Sequence, residues 1–400
     1  MSAADEAIAI VGAGECGVAA AFALRDLGHH AGISLIGDEP HIPYERPPLS
    51  KTVPASLKPI RDSSDYDAAD ITLLRGHAVA GIDPEAQCLR FFDGGTLQFE
   101  KLLLATGARP RVFPGLEQAR TFRTLDDADA ILSALSAQTR LVVIGGGFIG
   151  LELAACARLL GASVTVLEAG ARTMARAVPP SISDYVATRH KQEGVDIRYG
   201  AHVSDICGGE VRCLDGRTFA HDVVVAGTGS WPNVELAADA GLAIDNGIVV
   251  DQKFLTSSPG IYAAGDCCSF PYNGRHIRLE SWRAAREQGR SVAASMLGHD
   301  IAHEDIPWLW SDQYDLGLQV VGLPAGTEIS ARRPVADAHG FIDIQCDGRG
   351  RIVFAAGVGK GNKIAKDMRL LEMMIRKQAR PTRAALADPS TNLKALLKAA

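Results

Sequence analysis

Ile8-Ala-Ile-Val-Gly12-Ala-Gly14-Glu-Cys-Gly17 and Leu141-Val-Val-Ile-Gly145-Gly-Gly147-Phe-Ile-Gly150 are two copies of one pattern, and the duplication decides the fold. Each copy follows a short apolar run that reads as a strand, and each opens an Ala/Leu-rich stretch that reads as a helix. That context separates a dinucleotide-binding turn from a chance GxGxxG. The first glycine permits the tight turn, the second lets backbone approach a pyrophosphate, and the third allows close helix-to-strand packing. Helix-start N–H groups and the helix dipole then favour the phosphate charge. Two such copies in one chain call for two dinucleotides, and FAD with NAD(P)H is the usual pair.

A second strand in each copy should end in an acid that accepts from a ribose hydroxyl. Ile33-Ser-Leu-Ile-Gly-Asp38-Glu39 supplies it first, with Asp38 lying 21 residues after Gly17. Asp38 and Glu39 compete for the role, and Asp38, directly after Ile36-Gly37, is the preferred one. Val164-Thr-Val-Leu-Glu168 supplies the second acid, 18 residues after Gly150. Both intervals fit the expected spacing of about 20 residues. A carboxylate at Glu168 repels a 2′-phosphate and accepts from a 2′-hydroxyl, which favours NADH over NADPH, although nearby Arg172 softens that preference.

The rest of the composition is that of an ordinary soluble globular protein. At 400 residues, 47% hydrophobic and 22% charged, the chain has room for two or three domains around ordinary cores. The start, Met1-Ser-Ala-Ala-Asp-Glu6, has no basic segment before its first strand, and the apolar stretch near 141–168 is broken by glycines, Glu152 and Arg158. Neither a secretory signal nor a membrane span is expected, so a cytoplasmic location follows. The eight cysteines form no CxxC and show no metal-ligand spacing, so no metal and no structural disulfide is expected. None lies between Cys16 and Cys88, where several two-dinucleotide flavoenzymes keep a redox cysteine. Electron flow through flavin alone is therefore expected, with the vicinal pair Cys267-Cys268 the one thiol site to watch. Net charge is −6, yet residues 317–400 carry 14 Lys/Arg against 7 Asp/Glu, a balance of +7 that leaves −13 on the remainder. A basic module without a nucleic-acid motif suits an acidic protein partner.

Further along the chain, a proline-rich loop occupies 40–61, and Leu102-Leu-Leu-Ala-Thr-Gly-Ala-Arg-Pro110 reads as a buried strand ending in a turn. Asp222-Val-Val-Val-Ala-Gly-Thr-Gly229 repeats that feature in the second half, and Ile261-Tyr-Ala-Ala-Gly-Asp266 is a further strand and turn. Residues 278–298 read as a helix, and alternating strands then helices fill the last segment. The expected fold class is α/β: two Rossmann-like dinucleotide-binding domains plus a C-terminal α+β domain. The expected division is 1–112 with 245–316 for FAD, 113–244 for NAD, and 317–400 for the last domain.

Four motifs add to the two fingerprints: Pro43-Tyr-Glu-Arg-Pro-Pro-Leu-Ser-Lys51, Leu104-Ala-Thr-Gly-Ala-Arg-Pro110, Ile261-Tyr-Ala-Ala-Gly-Asp266-Cys, and Pro307-Trp-Leu-Trp-Ser-Asp-Gln-Tyr314. In order and spacing the set resembles the FAD-dependent ferredoxin reductases of bacterial Rieske dioxygenase and cytochrome P450 systems, over essentially the whole chain. The resemblance implies an NADH:ferredoxin oxidoreductase that feeds such an oxygenase through an acidic, transiently bound [2Fe–2S] ferredoxin, while monomer and homodimer both stay open. It implies that Asp38 meets the FAD ribose, Lys51 the flavin side, Val79 the FAD through its backbone, and Thr106 and Gly107 the pyrophosphate. It implies further that Arg123 contacts FAD, Asp266 the ribityl chain and Trp282 the flavin ring, with Glu152 beside the nicotinamide.

Elementary electrostatics agrees with two of these assignments. A flavin tends to become anionic on reduction, so a cation such as Lys51 near the ring favours reduction and can pair with Glu152. A carboxylate two positions into an apolar helix is costly to bury alone, and a lysine or ligand offsets that cost. Arg61, Arg286 and Arg290 are candidates for ferredoxin docking, and Trp308 and Trp310 for a partner-facing or flavin-edge aromatic site. Acceptor choice lies on a surface rather than in a motif. Rubredoxin, oxygen or quinone remain open as acceptors, as does a flavin-binding signalling role of the apoptosis-inducing-factor type.

Overall fold

A computed structural model describes residues 6–399 apart from 301, 302, 304, 305, 325, 327, 336 and 338. Residues 1–5, on which the reading against a secretory signal rests, lie outside the described residues. The chain clusters into two compact units, one of residues 1–46, 57–109 and 230–305, the other of 47–56, 110–229 and 306–400.

The first unit is built on a five-stranded parallel sheet in the order Ile261–Ala263, Lys101–Leu104, Ile8–Val11, Ile33–Gly37, Ile71–Arg75. A parallel sheet is covered on both faces, so its strands read as continuous apolar runs. Ile8, Ile10, Leu35, Leu103 and Ala263 are accordingly almost fully buried. Helix Glu15–Asp26 packs on helix Trp282–Met296 through small residues. A Cβ on Gly289 would stand 2.4 Å from the Cys16 carbonyl oxygen, so glycine lets these two helices approach. The expected helix over 278–298 is present as Trp282–Met296, begun by Ser281, whose hydroxyl accepts from the Ala284 N–H.

The second unit holds two sheets that position the site described below. One is a four-stranded parallel sheet in the order Asp196–Tyr199, Ser163–Glu168, Arg140–Ile144, Val223–Ala226. The other is a five-stranded antiparallel sheet in the order Trp308–Gln313, Leu316–Gly322, Ile352–Lys360, Gly340–Cys346, Ala331–Val335. Helix Ala365–Arg376 buries Met368, Leu371 and Met374 in the core beside Ile342, Ile344 and Ala355. This sheet begins at Trp308, and the expected boundary at 317 falls inside its first hairpin. Among the described residues no helix is long and apolar enough to cross a membrane.

Candidate functional site

In the first unit, strand Ile8–Val11 turns at Gly12 into helix Glu15–Asp26. Gly12 has φ of +114°, and a Cβ there would stand 2.1 Å from the Ala105 carbonyl oxygen. A Cβ on Gly17 would stand 1.9 Å from the Gly12 oxygen. At Gly14, the residue capping the helix, a Cβ would meet nothing within 4 Å. Two glycines are thus demanded by packing, and the middle one borders open space where the helix N–H groups emerge. That is the cradle a pyrophosphate needs.

The residues expected around this cradle are placed as follows. Asp38 is exposed just past strand Ile33–Gly37. The neighbouring Glu39 carboxylate instead accepts from the Tyr44 hydroxyl at 2.5 Å and from Arg46 at 2.6 Å. Of the two competing acids, Asp38 is therefore the exposed one. Val79 is buried at the start of strand Val79–Asp83. Thr106 and Gly107 follow strand Lys101–Leu104; the Thr106 hydroxyl donates to the Asn233 carbonyl at 2.7 Å, and the Asn233 amide donates back to the Thr106 carbonyl at 2.8 Å. Asp266 sits half-buried in the short turn Gly265–Cys267, and its carbonyl accepts from Arg278 at 3.2 Å.

Glu15 lies between the fingerprint glycines, 3.8 Å from Arg286, whose guanidinium also covers the Trp282 ring at 5.2 Å. Burial pushes the Glu15 carboxyl up to about 7, with Arg286 opposing. Among the docking candidates, Arg286 is engaged in this way, Arg290 pairs with Glu287 at 3.3 Å, and exposed Arg61 stands over the Phe22 ring. Cys267 and Cys268 are both buried; their thiols reach the Leu104 carbonyl and the Gln288 side chain, and burial raises both pKa values. A buried, protonated thiol is a packing group rather than a nucleophile.

The second unit repeats the cradle. A Cβ on Gly145 would stand 2.3 Å from the Gly227 oxygen, one on Gly150 would stand 2.3 Å from the Gly145 oxygen, and one on Gly147 would meet nothing within 4 Å. Gly147 caps helix Phe148–Leu159, and Glu168 ends strand Ser163–Glu168 half-buried beside the turn. Its carboxylate accepts from the Gly146 N–H at 2.8 Å and the Gly170 N–H at 2.6 Å, so it braces the glycine turn as well as presenting charge there. Arg172 donates to the carbonyls of Val178 at 2.8 Å and Ala175 at 2.7 Å, which commits its guanidinium to the following loop.

The fifth residue of the second fingerprint's helix, on its buried side, is Glu152 at 5% exposure. The Pro47–Ser50 turn, whose prolines fix the backbone, delivers Ser50 and Lys51 to it. The Lys51 ammonium is 3.8 Å from Glu152, 3.3 Å from Asp312 and 4.5 Å from the Trp310 ring centroid. Ser50 donates to one carboxylate oxygen of Glu152, and Ser311 donates to the other at 2.5 Å. Trp308 stacks on Trp310 with centroids 5.3 Å apart, and the Trp310 indole donates to Asp312 at 3.1 Å. Burial pushes the Glu152 carboxyl upward, while Lys51, Ser311 and Ser50 pull it back.

Comparison with known proteins fits this arrangement. Residues 6–289 match the model of the pyridine nucleotide-disulphide oxidoreductases, and residues 308–397 match a reductase C-terminal model. The chain belongs to the pyridine nucleotide-disulphide oxidoreductase family. Among its relatives, the ferredoxin–NAD(+) reductase component of the anthranilate 1,2-dioxygenase system of Burkholderia cepacia is 42% identical over 97% of this chain and 98% of that protein. Putidaredoxin reductase of Pseudomonas putida is 42% identical over 81% of this chain and 82% of its own. A crystal structure of a covalent putidaredoxin reductase–putidaredoxin complex superposes with a TM-score of 0.92 at 37% identity, covering 99% of both chains. The fold is that of these reductases, and family membership implies FAD and NAD(H) as cofactors.

The family's two dinucleotides fit the two cradles, each with the middle glycine facing open space. The pairing of Lys51 with Glu152 expected from the sequence is present at salt-bridge distance. Arg123 lies in the second unit, where its backbone N–H donates to Asp127 at the start of helix Leu125–Leu132. Sequence reading missed Ser50, Ser311 and Asp312 as members of the Lys51–Glu152 cluster. All three lie inside the segments Pro43–Lys51 and Pro307–Tyr314, but only their three-dimensional contacts reveal what they touch.

Proposed function

We propose that this protein is an FAD-dependent NADH:ferredoxin oxidoreductase that passes electrons from NADH to a ferredoxin feeding a dioxygenase or a cytochrome P450. The observation that carries this reading is the pair of strand–turn–helix cradles, each closed by packing at two glycines and open at Gly14 or Gly147. Relatives named as reductase components of dioxygenase systems, and a similar structure named as the ferredoxin reductase of a CYP199A2 system, support it. Bound FAD supplies the conversion of a two-electron hydride donor into one-electron deliveries.

The chain's own residues hold and orient. Gly12, Gly14, Gly17 and Asp38, with Val79, Thr106, Gly107, Asp266, Trp282 and Arg123, are assigned to FAD. Gly145, Gly147, Gly150 and Glu168 are assigned to NADH. Lys51 keeps a cation by the reacting centre, and Glu152 positions Lys51 and the nicotinamide end of NADH. The proposed partner is a small acidic [2Fe–2S] ferredoxin, drawn by the +7 balance of residues 317–400 with fast, salt-sensitive association.

Stopped-flow mixing tests the whole reading. The purified yellow protein should bleach with NADH under anaerobic conditions, then recolour on addition of an oxidised [2Fe–2S] ferredoxin faster than with oxygen. A colourless protein that takes up no flavin, or turnover with oxygen alone, contradicts it. Glu168→Ala tests the second cradle separately. Losing a charged acceptor costs roughly 1.5–3 kcal/mol, so KM for NADH should rise roughly 10- to 100-fold with the flavin retained. Equal loss of NADH use and of flavin would refute the assignment.

A further inference from the structure

The mechanism proposed above uses Glu152 but not the polar residues buried behind it. Strand Trp308–Gln313 alternates its sides. Trp310 and Asp312 meet Lys51, while Ser311 and Gln313 point the other way. There Gln313 reaches His190, a fully buried histidine on helix Pro180–Gln192. Ser311 is 1% exposed and Gln313 3%, and neither packs as an apolar residue would.

We propose that His190 and Gln313 are positioning residues for Glu152, through a one-way chain of buried hydrogen bonds that ends on its carboxylate. The chain runs from the Tyr314 hydroxyl to His190 Nδ1 (3.4 Å), from His190 Nε2 to Gln313 Oε1 (2.8 Å), from Gln313 Nε2 to Ser311 Oγ (3.0 Å), and from Ser311 Oγ to Glu152 Oε1 (2.5 Å). The inference rests on Glu152 serving the reaction as proposed above.

Its direction is forced from the carboxylate end. An ionised carboxylate only accepts, so Ser311 donates to Glu152. The Ser311 oxygen then accepts, which turns the Gln313 amide nitrogen toward it and the amide oxygen toward His190. His190 must donate from Nε2, and its Nδ1 is left to accept from Tyr314. Each donor in the chain polarises the next, so the last bond favours the anion more than an isolated serine would. If Glu152 takes up a proton, it gains a donor and the chain loses the reason for its direction. Protonation at Glu152 and the tautomer of His190 are thereby coupled.

The surroundings keep His190 neutral, as the chain requires. Burial lowers its pKa and Arg189 lowers it further, while Gln313 and Glu193 oppose. Tyr314 stacks edge-on against the imidazole at 5.0 Å, under the Arg189 guanidinium and near Arg158 and Cys156. At the other end, Lys51, Asp312 and Cys156 are the ionisable groups around Glu152. Tyr314 also holds φ of +56°, a left-handed conformation uncommon for a bulky residue, at the hairpin turn that sets its ring on His190.

The test follows the Glu152 carboxyl itself. In holoprotein with carboxyl-labelled glutamate, the infrared band absent from Glu152→Gln reports its protonation against pH. Gln313→Leu and His190→Met should each raise its midpoint by about one pH unit, the size of one charge-assisted hydrogen bond weakened. His190→Gln, which keeps an amide donor near the Nε2 position, should restore the midpoint. An unmoved midpoint in both disrupting variants overturns the coupling. A midpoint that moves equally in His190→Gln assigns the effect to packing and also overturns it. If the midpoint moves as expected while the pH profile of flavin reduction stays fixed, the coupling stands, and it is the catalytic use of Glu152 that fails.

Discussion

Gly14→Val is expected to give a folded protein that has lost its yellow cofactor, whereas Gly12→Ala is expected to give little folded protein at all. Both residues belong to the same fingerprint, but the space around them differs. Gly14 has φ of −84° and ψ of −170°, which valine adopts freely, and its Cβ would meet no atom within 4 Å. The fold should lose only about 1 kcal/mol, the cost of replacing glycine by the poorer capping residue valine at the start of the helix. The side chain would instead fill the volume into which the helix N–H groups open, where a pyrophosphate belongs. Gly12 combines a positive φ of +114° with a Cβ only 2.1 Å from the Ala105 carbonyl oxygen. That oxygen belongs to backbone just past a buried parallel strand, so it cannot swing aside as a flexible side chain could. A cost above about 4 kcal/mol is a large share of a domain's total stability. Circular dichroism melting, together with flavin absorbance, distinguishes the two variants. Gly147→Val should keep its flavin and lose NADH use. A Gly14→Val protein that keeps its flavin would remove the first cradle from FAD binding.

What the sequence revealed and what it hid divide along physical lines. The glycine turns, their strands and their acids were legible because each is a local pattern within about thirty residues, set by backbone sterics and strand-to-helix geometry. Copy one also left a choice between Asp38 and Glu39 that spacing favours only weakly. The structure separates them by engaging Glu39 with Tyr44 and Arg46, a contact of the proline-rich loop. The Lys51–Glu152 pair was legible through family resemblance and a desolvation argument, since a lone acid in an apolar helix needs a partner. Ser50 and Ser311 were not legible, because serine in a motif gives no sign of burial. Their bonds to Glu152 join positions 102 and 159 residues apart. His190 had no signal at all: in the sequence it is one histidine in a polar helix, and its contacts with Gln313 and Tyr314, 123 and 124 residues away, exist in the fold alone.

Lys51→Met should make stability fall with pH far more steeply than in the parent protein, and Glu152→Gln added to it should restore most of the loss. The sign follows from Glu152, whose pKa in the folded protein lies above the ordinary carboxylate value of 4.5 because of burial. A group raised on folding contributes its full stability below the unfolded value and loses it as pH rises through the folded one. Lys51 limits that loss by compensating the charge at 3.8 Å. Without it, the folded value rises further, and above it the protein carries a buried carboxylate whose hydrogen bonds among the described residues come from two serine hydroxyls. Breaking a buried pair from one side costs about 3–5 kcal/mol, and the low end applies here because Lys51 lies at the rim, also near exposed Asp312. Removing the charge with Glu152→Gln should cost less, since Lys51 keeps Asp312 and the Trp310 face. Thermal melting of the four proteins between pH 5 and 9 gives the cycle, with a coupling of about 2 kcal/mol expected in the alkaline half and little at the acid end. Flavin reduction by NADH should slow about 100-fold in Lys51→Met, as for one lost preorganised electrostatic group, with yellow protein still recovered near neutral pH. Parallel pH–stability curves for the parent and Lys51→Met would show that Glu152 is not the group Lys51 compensates, and unchanged reduction kinetics would place Lys51 outside the reacting centre.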